Sequence, residues 1–286
     1  MASLIADIDL ADLIDNAEFE DIAALIDYVT DQGKGRVSLA ADTLSTLVAS
    51  KEVGYVSPQS RALLVEVLKR YGGHTVMNFF RGGEGVPYRE IVRDVASHMD
   101  VKTNKDESCE SMEATIIMVV LKKAFEDMTE EQRDEMFKEF GGVYKPGAGP
   151  AAFAVLQGLI KASGFGSFRV TLIVVNALSK AILGRGLTFA GNAALMRALG
   201  AFAGPIGWAL TAVWTVFDLG SPAYRVTVPC VLHIAYMRQK AALRSCPNCA
   251  TPASPSANFC GKCGTPITAL LLLEDGISGT EAADSI

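Results

Sequence analysis

Apolar residues recur every three or four positions through the first half of the chain, which is the pattern of helices that bury one face. The stripes are Leu10, Leu13 and Ile14; Ile22, Leu25, Ile26 and Val29; Leu63, Leu64, Val67 and Leu68; Ile91, Val92, Val95 and Met99; and Ile116, Ile117, Val120 and Leu121. Thr129, with Gln132 three residues later, forms a capping box that predicts a further helix toward Phe140. The first half is therefore predicted to be all-α.

The pattern changes midway along the chain, where Gly, Ala, Val and Leu dominate and charged residues come singly. The longest uncharged run, ALGAFAGPIGWALTAVWTVF, is long enough to cross a ~30 Å hydrocarbon layer as one helix. However, Gly204, Pro205 and Gly207 interrupt its middle, and such residues break helices. The sequence therefore predicts an apolar helical hairpin, formed by residues 187–203 and 207–219.

Four cysteines near the C-terminus carry the most specific chemical signal in the chain. They are Cys246, Cys249, Cys260 and Cys263, and they form the pairs CPNC and CGKC. Each pair places two thiols on a tight turn, and two such turns supply Zn²⁺ with four ligands in a tetrahedron, leaving no position for a substrate. The spacing predicts a zinc ribbon with Zn²⁺ as a structural cofactor.

The alternative for these four cysteines is a pair of disulfides, which needs an oxidising compartment. The N-terminus, MASLIADIDLADLID, is acidic where a secretory leader would be basic, so reduced thiols and a metal are expected. The expected location is the cytoplasm, with attachment to the inner membrane or insertion into it left open. Cys109 and Cys230 lie in apolar stretches and are expected to be small core residues.

Charge divides the chain as clearly as hydropathy does. Residues 1–148 carry 16 Lys/Arg and 27 Asp/Glu, whereas residues 149–264 carry 10 Lys/Arg and one acid, Asp218. The predicted fold is mostly α, a multi-helix bundle with an apolar Gly/Ala-rich hairpin and a small zinc ribbon, and an amphipathic helix is expected after Pro229. The predicted parts are an acidic helical domain (1–148), an apolar, basic helical region (149–244), the ribbon (245–268) and a tail (269–286).

Two segments resemble a known family. They are RYGGHTVMNFFRGGEGVPYREIVRDVASHMDV at 70–101 and GSPAYRVTVPCVLHIAYMR at 220–238, and both are similar to the YaaW-like family of bacterial proteins. The stretch DLADLIDNAEFEDIAALIDYVTDQGKGR resembles the small domain that begins many members, so the likeness covers about 9–243. It implies no defined activity, although some members are similar to a ubiquinol–cytochrome c chaperone, a helical assembly factor. Shorter members end near Met237, so the ribbon is expected to be an appended module.

No catalytic motif accompanies these features. The three histidines, His74, His98 and His233, have no metal-ligand or nucleophile spacing, and the sequence contains no HExxH, Gly-x-Ser-x-Gly or Walker A motif. The protein is therefore expected not to be an enzyme. A set of Arg and Tyr residues in the family-like segments could bind an anion or a partner, or could only tie loops to the helices that follow. They are Arg81, Tyr88, Arg89, Tyr224 and Arg225.

Two functions are open at this point. In the first, a non-enzymatic protein associates with a membrane through its hairpin, as a regulated stress or defence effector. Basic residues would contact anionic lipid headgroups, small residues would let helices approach closely, and tryptophans would lie at the interface. The residues of this membrane hairpin are Gly200, Gly204, Pro205, Gly207, Trp208 and Trp214.

In the second, the hairpin is buried core and the protein is a soluble helical adaptor or assembly factor whose ribbon binds another protein. The long uncharged run and the scarcity of acids after residue 148 favour the membrane. Nucleic acid is not an expected partner, because the interior of the ribbon carries only Lys262 as a basic residue. A homo-oligomer is compatible with either function.

Overall fold

The computed structural model describes residues 10–36, 39–72, 85–163, 166–187, 206, 223–249, 251–253 and 257–267. Contacts divide the chain into two compact units, Met1–Ala241 and Ala242–Ile286. We call the first the helical body and the second the ribbon. The prediction of a mostly α fold is confirmed, since strands occur in the described residues only as two short pieces of the ribbon.

Helices account for most of the described part of the body. Residues 10–15 are helical and precede the labelled elements. These elements are α1 (Phe19–Thr30), α2 (Ala41–Glu52), α3 (Pro58–Gly72), α4 (Tyr88–His98), α5 (Cys109–Asp127), α6 (Glu130–Glu139), α7 (Pro150–Ala162), α8 (Gly166–Leu183) and α9 (Tyr224–Ala241).

Several of these helices begin at local sequence signals. The Ser108 side chain accepts a hydrogen bond from the backbone N–H of Ser111 at the start of α5. Thr129 and Gln132 make both bonds of a capping box at the start of α6, which confirms that prediction. Pro150 occupies the first turn of α7, where its missing N–H removes no helical bond.

The centre of the body is the pair α8 and α9. Every residue of α9 from Val226 to Met237 is buried, and this helix packs against α1, α3, α4, α5 and α8. The expected helix after Pro229 begins earlier, at Tyr224, and from Val226 to Met237 it is buried on all sides rather than on one face. Pro229 lies inside it and cannot donate the helical bond to the carbonyl of Arg225. Tertiary packing on every side offsets that loss.

The change of composition at residue 148 falls within one packed unit. Helices α8 and α9, which come after it, pack on α1 and α5, which come before it. Cys109 and Cys230, one on each side of the boundary, are both buried in the core as expected. The acidic and the basic parts of the body thus share a common interior.

The predicted hairpin lies outside the described residues, apart from Leu187 and Ile206, and Ile206 is fully buried. Among the described helices, α8 is long and apolar enough to cross a membrane by length and composition, and 72% of it is buried in the structure. A core helix and a membrane helix both meet that criterion. The hairpin residues outside the described part are Gly200, Gly204, Pro205, Gly207, Trp208 and Trp214.

The ribbon contains a small antiparallel sheet. Strands β1 (Arg244–Ser245) and β2 (Pro252–Ala253) pair with Arg244 opposite Ala253 and Ser245 opposite Pro252. A separate bridge joins Phe259 to Pro266 in the second half of the unit. Each CxxC pair therefore lies in a turn between two short extended pieces.

Candidate functional site

The four cysteines of the ribbon come together at one point. All four Sγ atoms lie within 4.8 Å of one another. The Sγ atoms of Cys246 and Cys263 are 3.5 Å apart, and those of Cys249 and Cys260 are 3.7 Å apart. Four thiolates about 2.3 Å from a central Zn²⁺ would be separated by about 3.8 Å along each edge of the tetrahedron. The donor set and its spacing therefore fit a four-coordinate metal ion.

The two turns are copies of each other. The stretches RSCPNC-A-TPA and NFCGKC-G-TPI align at a spacing of 14 residues, with Thr-Pro following each second cysteine. We call residues 244–253 the first knuckle and residues 258–267 the second. The backbone N–H of Cys246 donates to the carbonyl of Thr251, and that of Cys260 donates to the carbonyl of Thr265. The repeat includes these threonines, which were not among the predicted site residues.

The threonine hydroxyls support the metal-binding form of the thiols. Thr251 Oγ1 lies 3.2 Å from Cys249 Sγ, and Thr265 Oγ1 lies 3.2 Å from Cys263 Sγ. The side-chain hydrogen bond between Thr265 and Cys263 lowers the pKa of Cys263 to about 5, and the one between Thr251 and Cys249 lowers the pKa of Cys249. A thiolate is the form that binds a metal. The threonines thus act on the ligands without being ligands.

In the body, the Glu113 carboxylate is buried and holds three helices together. Tyr88 Oη of α4 donates to Glu113 Oε1 at 2.7 Å. Arg238 of α9 donates from Nε to Oε2 at 3.0 Å and from Nη2 to Oε1 at 3.3 Å. Burial raises the pKa of Tyr88 well above its usual value, and the negative charge of the neighbouring Glu113 raises it further. The phenol therefore stays protonated and donates. These contacts fit the structural alternative for Tyr88.

Two further buried carboxylates lie on α1. Asp27 accepts from Arg185 Nη2 at 2.5 Å and from the ammonium of Lys51. Asp21 accepts from Lys240 Nζ at 2.8 Å. Because a buried charge is costly unless it is paired, these bonds explain how α1 can place two acids in the interior.

Acids of the N-terminal part pair with basic residues of the C-terminal part throughout the body. One such pair joins Arg169 to Glu139: the Arg169 guanidinium donates to the Glu139 carbonyl at 2.7 Å and to the carboxylate of the same residue. The uneven distribution of charge along the sequence thus becomes complementary charge in space. The pairs are Glu139 with Arg169, Asp27 with Arg185, Glu113 with Arg238, and Glu18 and Asp21 with Lys240.

His233 lies in the middle of α9 and is fully buried. Its ring packs edge-on against Tyr28 and Tyr236, with centroids 5.8 and 5.7 Å away, and Nε2 lies 3.8 Å from Asp21 Oδ1. Burial is the main cause that lowers the pKa of His233 to about 3, and the positive charge of Lys240 is the second. The imidazole is therefore a neutral core side chain at physiological pH.

Comparison with known proteins gives two results. A zinc-ribbon domain model matches residues 242–267. Over 178 residues the chain is 38% identical to a UPF0174 protein of Helicobacter pylori strain J99, covering 62% of this chain and 70% of the relative. A second UPF0174 protein of that strain is 32% identical over 208 residues, covering 70% of this chain and 97% of the relative. The chain belongs to the UPF0174 family.

The UPF0174 protein YaaW of Escherichia coli strain K12 is 27% identical over 233 residues, which is 80% of this chain and 92% of the relative. The predicted YaaW-like resemblance and the appended ribbon are thus both confirmed. No solved structure matches the chain.

The two segments that carried the UPF0174 likeness pack against each other through α4 and α9. Besides the Tyr88 cluster, the ring of His98 stacks on that of Tyr224, with centroids 3.9 Å apart. Arg89 Nη2 donates to the Lys105 carbonyl at 2.8 Å. Arg225 is exposed at the start of α9, and Arg81 lies outside the described residues. An anion or partner contact at Arg89, Tyr224 or Arg225 stays a prediction.

Proposed function

We propose that this UPF0174 protein is a non-enzymatic adaptor in which a helical body carries a zinc ribbon that binds another protein. The observation that carries the proposal is the cysteine cluster, with its four Sγ atoms within 4.8 Å of one another. Four protein ligands complete the coordination of Zn²⁺, so the ion stabilises the fold and has no open position for a substrate or a reactive water.

The organisation of the chain supports this proposal. The ribbon is a compact unit of its own, and a zinc-ribbon model matches only this part of the chain. The body already buries a large apolar core, so it does not need the ribbon as a source of stability. A compact module with its own source of stability is suited to binding another protein.

The test uses the full chain and two cysteine variants. Cys246→Ser removes a ligand, and Cys109→Ser changes a buried thiol of the body as the matched control. We expect about one zinc ion per chain by elemental analysis for the wild type and for Cys109→Ser, and much less for Cys246→Ser. We expect photo-cross-linking in the native host cell to give a defined protein adduct from ribbon positions, and this adduct should disappear in Cys246→Ser.

Two results would contradict the adaptor. A wild-type protein that contains no zinc would show that the four cysteines do not form a zinc ribbon. An adduct that forms equally well in Cys246→Ser would show that the contact does not depend on the zinc-bound ribbon. Val143, which is exposed in the body, serves as the control cross-linking position.

A second candidate is the membrane-associated protein, which one specific feature favours. The run at 198–217 contains 20 residues without a charge, and it connects α8 to α9, two helices that pack on each other. Against it, Arg169 and Arg185 are paired with carboxylates of the body rather than free for headgroups. Ile206, in the middle of the run, is buried. We therefore rank this candidate second.

Flotation of the zinc-loaded full chain with anionic liposomes tests this second candidate. Membrane association predicts that the wild type floats and that Val213→Glu, a charge placed in the run, does not. Circular dichroism and zinc content establish that the variant is folded. A wild type that stays at the bottom of the gradient removes the membrane candidate and leaves the adaptor.

A further inference from the structure

The two knuckles of the ribbon share the cysteine spacing and the backbone hydrogen bond from the first cysteine to the threonine, but they differ in what they expose. Phe259 in the second knuckle stands where Ser245 stands in the first, and Lys262 stands where Asn248 stands. Ser245 and Phe259 each precede a buried cysteine, and each lies opposite a proline. The proline is Pro252 for Ser245 and Pro266 for Phe259. The repeat therefore supplies an internal reference for what the fold itself requires.

By that reference the ribbon does not need an aromatic residue at position 259. The phenyl side chain of Phe259 is 64% exposed, and Ser245 at the equivalent position is exposed as well. A serine suffices there to form the knuckle and its hydrogen bond from the next cysteine. Against the described residues the aromatic ring thus adds apolar surface in water and little packing, which is typical of an anchor residue for a partner.

We propose that the second knuckle, through Phe259 and Lys262, is the face by which the ribbon binds its protein partner. This inference rests on the proposed adaptor function and specifies the contact. Phe259 would enter an apolar pocket of the partner, and Lys262, which is exposed beside the exposed ligand Cys263, would lie at the rim of the contact.

Charge indicates the chemistry of that pocket. Residues 242–267 contain two charged side chains, Arg244 and Lys262, both basic and both exposed, and no acid. The complementary partner is a folded protein whose apolar pocket has an acidic rim. Two basic residues are too few for the basic footprint of a nucleic-acid reader, so base stacking on Phe259 is not the favoured occupant.

The first experiment places a photo-reactive phenylalanine analogue at position 259 or at position 245 of the full chain in the native host cell. The analogue keeps an aromatic ring at 259, and the two positions are equivalent in the repeat. We expect a protein adduct from position 259 and none from position 245. The cross-linked protein is then purified and its affinity for the full chain is measured by calorimetry, because the adduct alone does not establish binding.

The affinity measurement uses two variants of each knuckle. Phe259→Ser is expected to weaken binding at least about tenfold, the usual effect of truncating an aromatic anchor. Lys262→Asn is expected to weaken it about threefold, and added salt should reduce this difference. Ser245→Ala and Asn248→Ala should leave the affinity within about twofold of wild type. Zinc content should stay at the wild-type level in all four variants.

Each other outcome overturns the inference. If the adduct forms from position 245 and not from 259, or if Phe259→Ser binds as tightly as wild type, the ribbon binds through another face and the adaptor function survives. An adduct with nucleic acid or with a second copy of this chain replaces the proposed partner. If neither knuckle gives an adduct while the body position 143 does, the adaptor function of the ribbon fails too.

Discussion

The helical body and the ribbon are stabilised by different means. The body buries apolar side chains from every labelled helix and encloses the carboxylates of Asp21, Asp27 and Glu113 with their basic partners. In the described part of the ribbon the buried residues are Cys246, Ala253 and Cys260. Stability in the body is therefore distributed over contacts between distant parts of the chain, whereas stability in the ribbon depends on one point of coordination. Each region should fail alone when its own source of stability is removed.

Loss of a zinc ligand should have the largest effect, and it should be confined to the ribbon. A structural zinc site contributes about 10 kcal/mol or more to the folding of a small domain, and the ribbon has almost no core to replace it. In Cys246→Ser we expect rapid proteolysis between residues 242 and 267, with the helical signal at 222 nm unchanged. Limited proteolysis with mass spectrometry and circular dichroism measure the two.

A chelator added to the wild-type protein should reproduce that result, and Cys109→Ser should not. If zinc removal instead lowers the helical signal of the body, the two regions are coupled and the comparison fails.

Removal of the Glu113 carboxylate should be the most damaging change of charge in the body. Glu113→Ala leaves the guanidinium of Arg238 and the hydroxyl of Tyr88 without their buried acceptor, so we expect a loss of about 3–5 kcal/mol in the free energy of unfolding. Glu126→Ala, which breaks an exposed pair with Lys122, should cost less than about 1 kcal/mol. Urea denaturation followed at 222 nm compares the two variants.

The comparison is sharpened if Glu113→Ala keeps a full complement of zinc while its body is destabilised. Equal losses in Glu113→Ala and Glu126→Ala would mean that the buried cluster adds nothing beyond a surface pair.

Local signals in the sequence were enough for the elements and for the metal centre. The apolar spacing of Ile116, Ile117 and Val120 predicted α5, and the Thr129 capping box predicted the start of α6, because both signals act within one or two helical turns. The ribbon was predictable for the same reason: its ligands are two short pairs separated by ten residues.

Pairing between distant residues could not be predicted in this way. Glu113 and Arg238 are 125 positions apart, and Asp27 and Arg185 are 158 apart, so no local pattern links them. The sequence showed more basic than acidic residues after residue 148, and anionic lipid headgroups were the favoured partners of these basic residues. In the structure, carboxylates of the first half accept from Arg169, Arg185, Arg238 and Lys240. Net charge along a chain says little about where each charge finds its partner.

Acid should weaken the body through His233. The pKa of this imidazole is about 3 in the folded protein and about 6.5 in the unfolded chain, so below pH 6.5 the unfolded state takes up a proton that the folded state does not. We expect stability to fall by about 2 kcal/mol between pH 7 and pH 5. The neighbouring Asp21, whose pKa is raised by burial, acts in the opposite direction at lower pH. Urea denaturation at several pH values measures the slope.

In His233→Leu this slope should largely disappear, because leucine does not titrate. The substitution breaks no hydrogen bond of the ring, since neither ring nitrogen has a hydrogen-bond partner among the described residues. His98→Gln, which changes a partly exposed histidine, should keep most of it. A slope that is the same in wild type and His233→Leu would assign the acid sensitivity to another group.

The smallest effect tests whether local signals contribute to the body beyond its core. Thr129→Ala removes the side-chain acceptor of the capping box, leaves the N–H of Gln132 without that bond, and should cost about 1 kcal/mol in urea denaturation. Thr115→Ala is the matched control, since its exposed hydroxyl donates to the Ser111 carbonyl within α5, and it should change stability by less than about 0.5 kcal/mol. If both variants lose the same free energy of unfolding, the packing of Met136 and Phe137 holds the start of α6 in place. The capping box predicted from the sequence is then dispensable.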